Sequence, residues 1–520
     1  MRYGIAKLSA KASNDLSAPA ARRVGAGWRL FPIGLLPPPA LCLVALGLLP
    51  LVLLLVGQAA LVRYLFPLLA LALAGYLYVK SPQHYLGLCL WLFLLTPFVR
   101  RLVDAQIGWL QVNPVMLAPY LASSLMFFTV VAYLLRADFK TILPFVLIFA
   151  SVAYGFVLSA VDGYIVSGGF DALRWCTPVF AAVFVLHHRR LAEELRSTVV
   201  RCFAWALPLL GLYGLLQFFS PMPWDLYWIN DVDSYLAGRP RPYEIRVFST
   251  MNSPQSFAIA AAVGLILIAA VARTVLWVTA APGLIALLLT LSRSVIGGFV
   301  VGVLYLLVMS PRAVRARVGL FALATACVLV PALLAVPQLR DRLTHRFEQT
   351  MTLEDDASAN SRMSQYAVFP VLMQQSVLGS GLAWKGDYAH LDDKQFVAID
   401  SGIIETMVGL GVIAGSAYFI GFGICLVRLG QVAISSNNPF VHACAAIAIC
   451  GVTQLPLQHV LIGEGGFMIW PFIGLGLAHG RSRRRRSTTG TRTRRSQRIS
   501  VAPNHAQHHG PVKQPSGDVG

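Results

Sequence analysis

Residues Ser256–Ala272 read SFAIAAAVGLILIAAVA, and after Arg273 and Thr274 the stretch Val275–Leu291 reads VLWVTAAPGLIALLLTL. Neither run contains a charged residue, and each approaches the roughly 20 residues a helix needs to cross a bilayer. Working outward, similar windows recur at Leu41–Val56, Leu143–Ala160 and Phe321–Val336. The runs are continuously apolar and rich in Leu, Ala and Val, whereas a transmembrane β-strand needs only about 10 residues of alternating pattern. The sequence therefore predicts an all-α, polytopic transmembrane helical bundle.

Composition agrees. Of 520 residues, 57% are hydrophobic and 12% charged, where a soluble domain carries about a quarter charged residues. Such a chain cannot hide its apolar surface in water. The eight cysteines lie in or beside apolar runs with no CxxC pair, so neither a disulfide framework nor a zinc site is implied. No P-loop, HExxH, GxSxG or dinucleotide fingerprint is found, which removes support for ATP hydrolysis, zinc proteolysis and α/β-hydrolase chemistry. No cofactor is expected.

Predicted spans run over 33–57, 61–79, 85–99, 115–135, 142–160, 171–187, 199–219, 254–272, 274–291, 294–310, 318–337, 401–427, 440–459 and 466–479, about twelve to fourteen helices once weak spans are merged. The first is read as an uncleaved helix, since no small-residue cleavage site follows it. With the basic N-terminal segment inside, the inside connections fall near Lys80, Arg136/Lys140, Arg189/Arg190, Arg273, Arg312/Arg315/Arg317 and Arg428, and each is basic. This positive-inside pattern places both termini in the cytoplasm. The expected organisation is a basic cytoplasmic segment (1–30), a helical region (31–337) with an outer loop at 220–253, a large extracytoplasmic loop (338–400), C-terminal helices (401–480) and a disordered basic tail (481–520). The net charge of +19 owes much to that tail. A polybasic run directly after a last helix suits anionic lipid, and it lacks the interleaved aromatics of a nucleic-acid platform.

Candidate chemistry therefore lies outside. Arg293, in LTLSRSVIGG, sits at an outer membrane boundary, where an arginine snorkels, pairs or binds an anion. Arg246, in YEIRVFSTMNSP, stands where the first long loop re-enters the membrane; its plain alternative is a solvated loop cation. Trp224, Tyr227, Trp228, Tyr235 and Tyr243 in that loop suit an interfacial belt or a sugar-stacking surface. Asp231 and Asp233 form a DxD, discounted because nucleotide sugars are cytoplasmic. The second loop offers Arg362, the turn Leu378–Gly381, then His390, Asp392, Asp393 and Asp400. An imidazole and carboxylates beside arginines suit a general base acting on a hydroxyl near a bound diphosphate, although most loop charges are merely solvated. Glu405, one turn into the next helix, either faces a cavity or pairs with an arginine.

Three ordered segments, RVFSTMNSPQSFA, LTLSRSVIGGFVVG, and the loop with Arg362 and LGSGLA leading to DSGIIETMVGLGVIAG, resemble the bacterial O-antigen ligase and polysaccharide polymerase superfamily. The resemblance runs from about Arg246 to Gly415. It implies a metal-independent membrane glycosyltransferase acting on undecaprenyl-diphosphate-linked glycans at the outer face of the bacterial cytoplasmic membrane. Its partners would be the lipid-linked oligosaccharide, membrane lipids, a chain-length regulator and a flippase, with no nucleic acid. By resemblance Arg246 and Arg293 hold the diphosphate, Arg362 assists, and His390 is the counterpart of the family's loop histidine; Glu405, as an intramembrane acid, is counted with the substrate-binding residues. Ligases usually place a His-Asn-like step just before the helix. Here that place reads Ile399-Asp400-Ser401, which is similar to exopolysaccharide polymerases, so the base role divides between Asp400 and His390. The expectation is a polymerase of exopolysaccharide, capsule or O-antigen, with a ligase onto lipid A or another acceptor, or a glycan transporter, as alternatives.

Overall fold

The computed structural model describes residues 38–231, 237–271, 275–335, 365–371, 373–374, 377–384 and 400–479. Its helices are α1 (Pro38–Leu55), α2 (Ala59–Lys80), α3 (Pro82–Ile107), α4 (Leu117–Ser124), α5 (Met126–Arg136), α6 (Phe139–Val161), α7 (Ile165–His187), α8 (Ala192–Phe219), α9 (Pro223–Asp231), α10 (Pro254–Val271), α11 (Val275–Leu289), α12 (Arg293–Met309), α13 (Arg312–Ala335), α14 (Gly402–Ile434) and α15 (Pro439–Val452), followed by α16 over 463–479. Eight of the helical segments are long and apolar enough to cross a membrane, and shorter apolar helices lie between them. The protein is an all-α, multi-pass membrane protein.

The unit that carries the site begins at Leu43. Its core sits between helices whose surfaces are apolar all round, with α14 packed along α6, α11 along α8, and α12 on α15. Without a hydrophobic force between helices in lipid, close backbone approach supplies the contact. Gly211 of α8 shows this: a methyl there would lie 2.3 Å from the Gly283 nitrogen of α11.

Two predicted boundaries move. The span expected to start at residue 171 begins earlier, at Ile165, and within it Asp171 and Arg174 pair across one turn at 2.8 Å. The span expected over 440–459 stops at Val452. Pro456 has no N–H to donate and disfavours a helical residue before it, so residues 453–462 form turns and bends rather than helix.

The turn LGSGLA has a specific place. α14 is broken at Gly411 (φ 76°), where the Val408 carbonyl and Val412 N–H would otherwise have met. The Ser380 N–H donates to the Val408 carbonyl at 2.9 Å, and the Val412 N–H donates to the Val377 carbonyl at 3.0 Å. The segment is thus spliced into the gap. Its other side is held by α6, through Leu382 N–H to the Gly155 carbonyl at 3.1 Å and Tyr154 Oη to the Leu378 carbonyl at 2.7 Å. Irregular backbone is tolerated among membrane helices only when protein partners satisfy it. Gly379 (φ 94°) and Gly411 touch backbone to backbone, which no side chain would permit.

Candidate active site

The segment Val247–Met251 is buried: Val247, Phe248, Ser249 and Met251 are fully covered. A buried non-helical stretch must find partners for its backbone. The Gln217 side-chain oxygen accepts from both Phe248 N–H and Ser249 N–H at 2.9 Å. Arg101 of α3 donates to the Ser249 carbonyl and pairs with Asp225 of α9, both ionic partners being completely buried. Tyr213 Oη donates to the other Asp225 oxygen at 2.8 Å and receives the Trp224 Nε1–H at 2.8 Å. Burial pushes the Asp225 carboxyl up, while the Arg101 charge and the Tyr213 hydroxyl pull it back down.

These contacts aim Arg246. Its Nε donates to the Thr290 carbonyl at 3.0 Å, and the next residue's N–H donates to the Leu289 carbonyl at 3.1 Å. Thr290 lies three positions before Arg293, the first residue of α12. The two sequence-predicted arginines therefore converge on one turn. Among the described residues, the non-glycine positive φ angles are at Tyr243, Ser249 and Leu291, all within these two arginine segments. A left-handed conformation costs about 1–2 kcal/mol per residue, and such strain persists where surrounding structure over-determines it. A cation on the first turn of a helix is disfavoured by the helix dipole. N–H groups at a helix start and a guanidinium both favour an anion.

Other arginines at this end are already engaged. Arg63 and Arg100 bind the buried Asp104 at 3.1 and 3.2 Å, and Arg100 also lies 5.2 Å over the Trp228 ring. Trp228 packs with Ile229, Ala237, Ile245 and Phe248. Trp228 is buried in that cluster rather than open to stack on sugar, while half-buried Trp224 donates to Tyr213. Tyr235 and Asp233 lie outside the described residues.

A cavity of about 1200 Å³ opens at the same end, lined by Arg100, Asp171, Arg174, Asp400, Glu405, His459 and Glu464, with Tyr120, Ser256 and Gln458. Asp400 is exposed, and its N–H donates to the buried Gln365 at 3.2 Å. Ser401 caps α14, its hydroxyl accepting from Ile404 N–H at 3.4 Å and meeting Tyr366 Oη at 3.0 Å. This cap directs the buried Glu405 of the first turn toward His459, whose Nδ1 lies 3.3 Å from a Glu405 oxygen. Arg174 pairs with Asp171, and its charge acts on Tyr120 and Glu405.

Of the sequence-predicted residues, Arg246 and Arg293 share the Thr290 turn, and Asp400 and Glu405 line the cavity. Arg246 and Arg293 are not among the cavity's lining residues. Arg362 and His390 lie outside the described residues. Sequence reasoning missed Arg174, His459 and Glu464. Arg174 was legible as a charge inside the apolar span 171–187. His459 was counted inside a span, although Pro456 three residues earlier marks the break.

Residues 275–419, from the start of α11 through the break in α14, match the family model described as O-antigen ligase. No curated protein matches the chain. That match is consistent with the O-antigen ligase and polysaccharide polymerase superfamily.

Proposed function

We propose that the protein is a polymerase that joins undecaprenyl-diphosphate-linked oligosaccharide repeat units at the outer face of the bacterial cytoplasmic membrane, without a metal ion. The observation that carries the reading is the convergence of Arg246 and Arg293 on the Thr290 turn at a helix N-terminus. The donor bond is already activated by its diphosphate, so the protein must supply two things: cationic stabilisation of the leaving group and a base for the acceptor hydroxyl. Two guanidiniums beside the N-terminus of α12 suit the first need, because arginine stays charged and forks onto phosphate oxygens. Arg362 joins them by resemblance. For the base, the sequence nominates Asp400 and His390, and Asp400 stands at the cavity lined also by Glu405.

Topology supports the placement. The basic connections at Lys80, Arg136, Arg189 and Arg190 all belong to the helix ends opposite Arg293, as cytoplasmic loops do. Arg63, Arg100, Arg101 and Arg174 at the site end are instead taken up by Asp104, Asp225 and Asp171. In the reaction, the acceptor oxygen attacks the donor's anomeric carbon, the bond from that carbon to the diphosphate oxygen breaks, and the diphosphate leaves with the electron pair. The base takes the hydroxyl proton.

The ligase description of the matched family favours a second reading, transfer of finished glycan to lipid A or another acceptor. Deletion of the gene separates them. Loss of a polymerase leaves single repeat units on lipid, whereas loss of a ligase leaves long polymer on undecaprenyl diphosphate. Lengthening of glycan by the purified protein in detergent, where there are no compartments, excludes transport alone, and absence of any lengthening with the native lipid-linked unit rejects the polymerase.

A further inference from the structure

We propose that Arg100, held by Asp104 beside Arg63, anchors a second lipid-linked diphosphate, the one that the acceptor unit keeps while its sugar attacks. This rests on the polymerase reading above, in which both partners are carried on lipid and only the donor's diphosphate departs. The charge that the acceptor retains then needs a cation of its own, apart from the Thr290 turn.

Arg63 of α2 and Arg100 of α3 share a single carboxylate. One oxygen of the completely buried Asp104 accepts from Arg63 at 3.1 Å and from Asn113 Nδ2 at 2.6 Å, and the other accepts from Arg100 Nε at 3.2 Å. Two guanidiniums against one carboxylate leave one positive charge over. The Arg100 fork is also fixed in place. Its Nη2 donates to the Leu110 and Gln111 carbonyls at 2.9 and 3.4 Å, and its central carbon lies 5.2 Å from the Trp228 ring centre. Its Nη1, by contrast, makes no hydrogen bond and is not among the enclosed side-chain atoms. A guanidinium already held at two of its nitrogens gives up little freedom when the third meets a phosphate oxygen. Glu464 on the same wall feels the Arg100 charge without forming an ion pair with it.

Arg100 lines the cavity together with Asp400, the nominated base, whereas Arg246 and Arg293 do not line it. The attacking hydroxyl and the diphosphate that stays with it thus fall to one cavity, and the departing diphosphate falls to the arginine turn. At about 1200 Å³ the space exceeds the roughly 300–1,000 Å³ of an ordinary small-molecule site, which leaves room for the sugars between anchor and hydroxyl. A second, independent feature points to lipid. Val112, from the link after α3, and Ile165 and Val166, from the start of α7, line the same cavity and are 79%, 60% and 87% exposed. Apolar side chains this open at the end of a membrane bundle mark a surface for lipid. One cavity therefore carries a fixed cation with a spare donor and an apolar rim, the two halves of what a prenyl diphosphate requires.

The test uses purified full-length protein in detergent, with labelled polymer on undecaprenyl diphosphate as donor and one of two acceptors: the lipid-linked repeat unit, or the same glycan freed of lipid and diphosphate. Wild-type protein should take the lipid-linked acceptor at the lower KM. Arg100→Gln should raise that KM by about 10–100-fold, the worth of one hydrogen bond to a charged group, and leave the KM of the free glycan unchanged. Val112→Glu, which sets an acid on the rim without touching the Asp104 cluster, should raise the same KM by a smaller factor. An unchanged KM for the lipid-linked acceptor in Arg100→Gln overturns the proposal. So does an equal rise for both acceptors, which is what a merely structural role for Arg100 produces, and so does a loss reversed by added phosphatidylglycerol, which assigns the site to an ordinary anionic phospholipid. If Arg100→Gln fails to fold, Val112→Glu is judged by the same criteria. Arg293→Ala run in parallel keeps the two questions apart: normal elongation there removes the underlying polymerase reading, whereas an unchanged acceptor KM in Arg100→Gln alone removes only the anchor.

Discussion

Replacing Arg101 by alanine tests how the arginine site is held. Arg101 and Asp225 are 124 residues apart in sequence and completely buried as a pair. Removing one member leaves an uncompensated buried charge, which costs about 3–5 kcal/mol. The same variant frees the Ser249 carbonyl, otherwise bonded by Arg101, and loses the guanidinium's stacking 4.7 Å over Phe248. The ion pair therefore sets a lower bound on the loss. Arg101→Ala should lower the thermal midpoint of the detergent-purified protein and slow elongation, because Ser249 lies three residues from Arg246. The double variant Arg101→Met/Asp225→Leu separates the two effects. Swapping a buried pair for apolar residues is often neutral, so stability should largely return. Activity should not, since Met cannot donate to Ser249. Should Arg101→Ala stay within about 0.5 kcal/mol of wild type, the range of an inconsequential surface change, the claim that this pair anchors the segment is wrong. Full activity in the double variant would equally refute the claim that backbone pinning aims Arg246.

Arg293→Ala should cut elongation by about 10²–10³-fold, the loss seen when one preorganised charge-stabilising donor is removed, while the protein still inserts; normal chain length on a gel would contradict the assignment. Arg246→Lys should also fail to restore full activity, since lysine has neither the fork nor an Nε–H for the Thr290 carbonyl at 3.0 Å. Gly411→Ala should destabilise by at least the roughly 1–2 kcal/mol of a left-handed alanine, because the added methyl would also meet the Leu378 carbonyl carbon at 2.4 Å; a thermal midpoint equal to wild type would speak against the spliced break. Reporter fusions after Ser294 should read extracytoplasmic and fusions at Ser436 cytoplasmic, and the reverse pattern would deny the site its substrate.

Hydropathy made the helices legible because a bilayer imposes its requirement locally. Each span must be apolar over its own length and satisfy its own backbone, so α10 and α11 are readable from Ser256–Leu291 alone. The LGSGLA turn and the RVFST segment were visible as patterns, yet their placement was not. One fills a helix break between Val408 and Val412, and the other is buried against Gln217 and Arg101.

What the sequence determined by itself was an all-α membrane protein and the order of its spans, and it also nominated the arginines and carboxylates proposed for the site. Tertiary structure alone decided that Arg246 and Arg293 share the Thr290 turn, that Asp171 and Arg174 pair within one helix, and that Glu405 meets His459 beside a cavity. The physical reason is that insertion depends on the hydrophobicity of contiguous residues. The pairing of buried charges and the satisfaction of irregular backbone depend instead on partners far away in the chain, which only packing brings together.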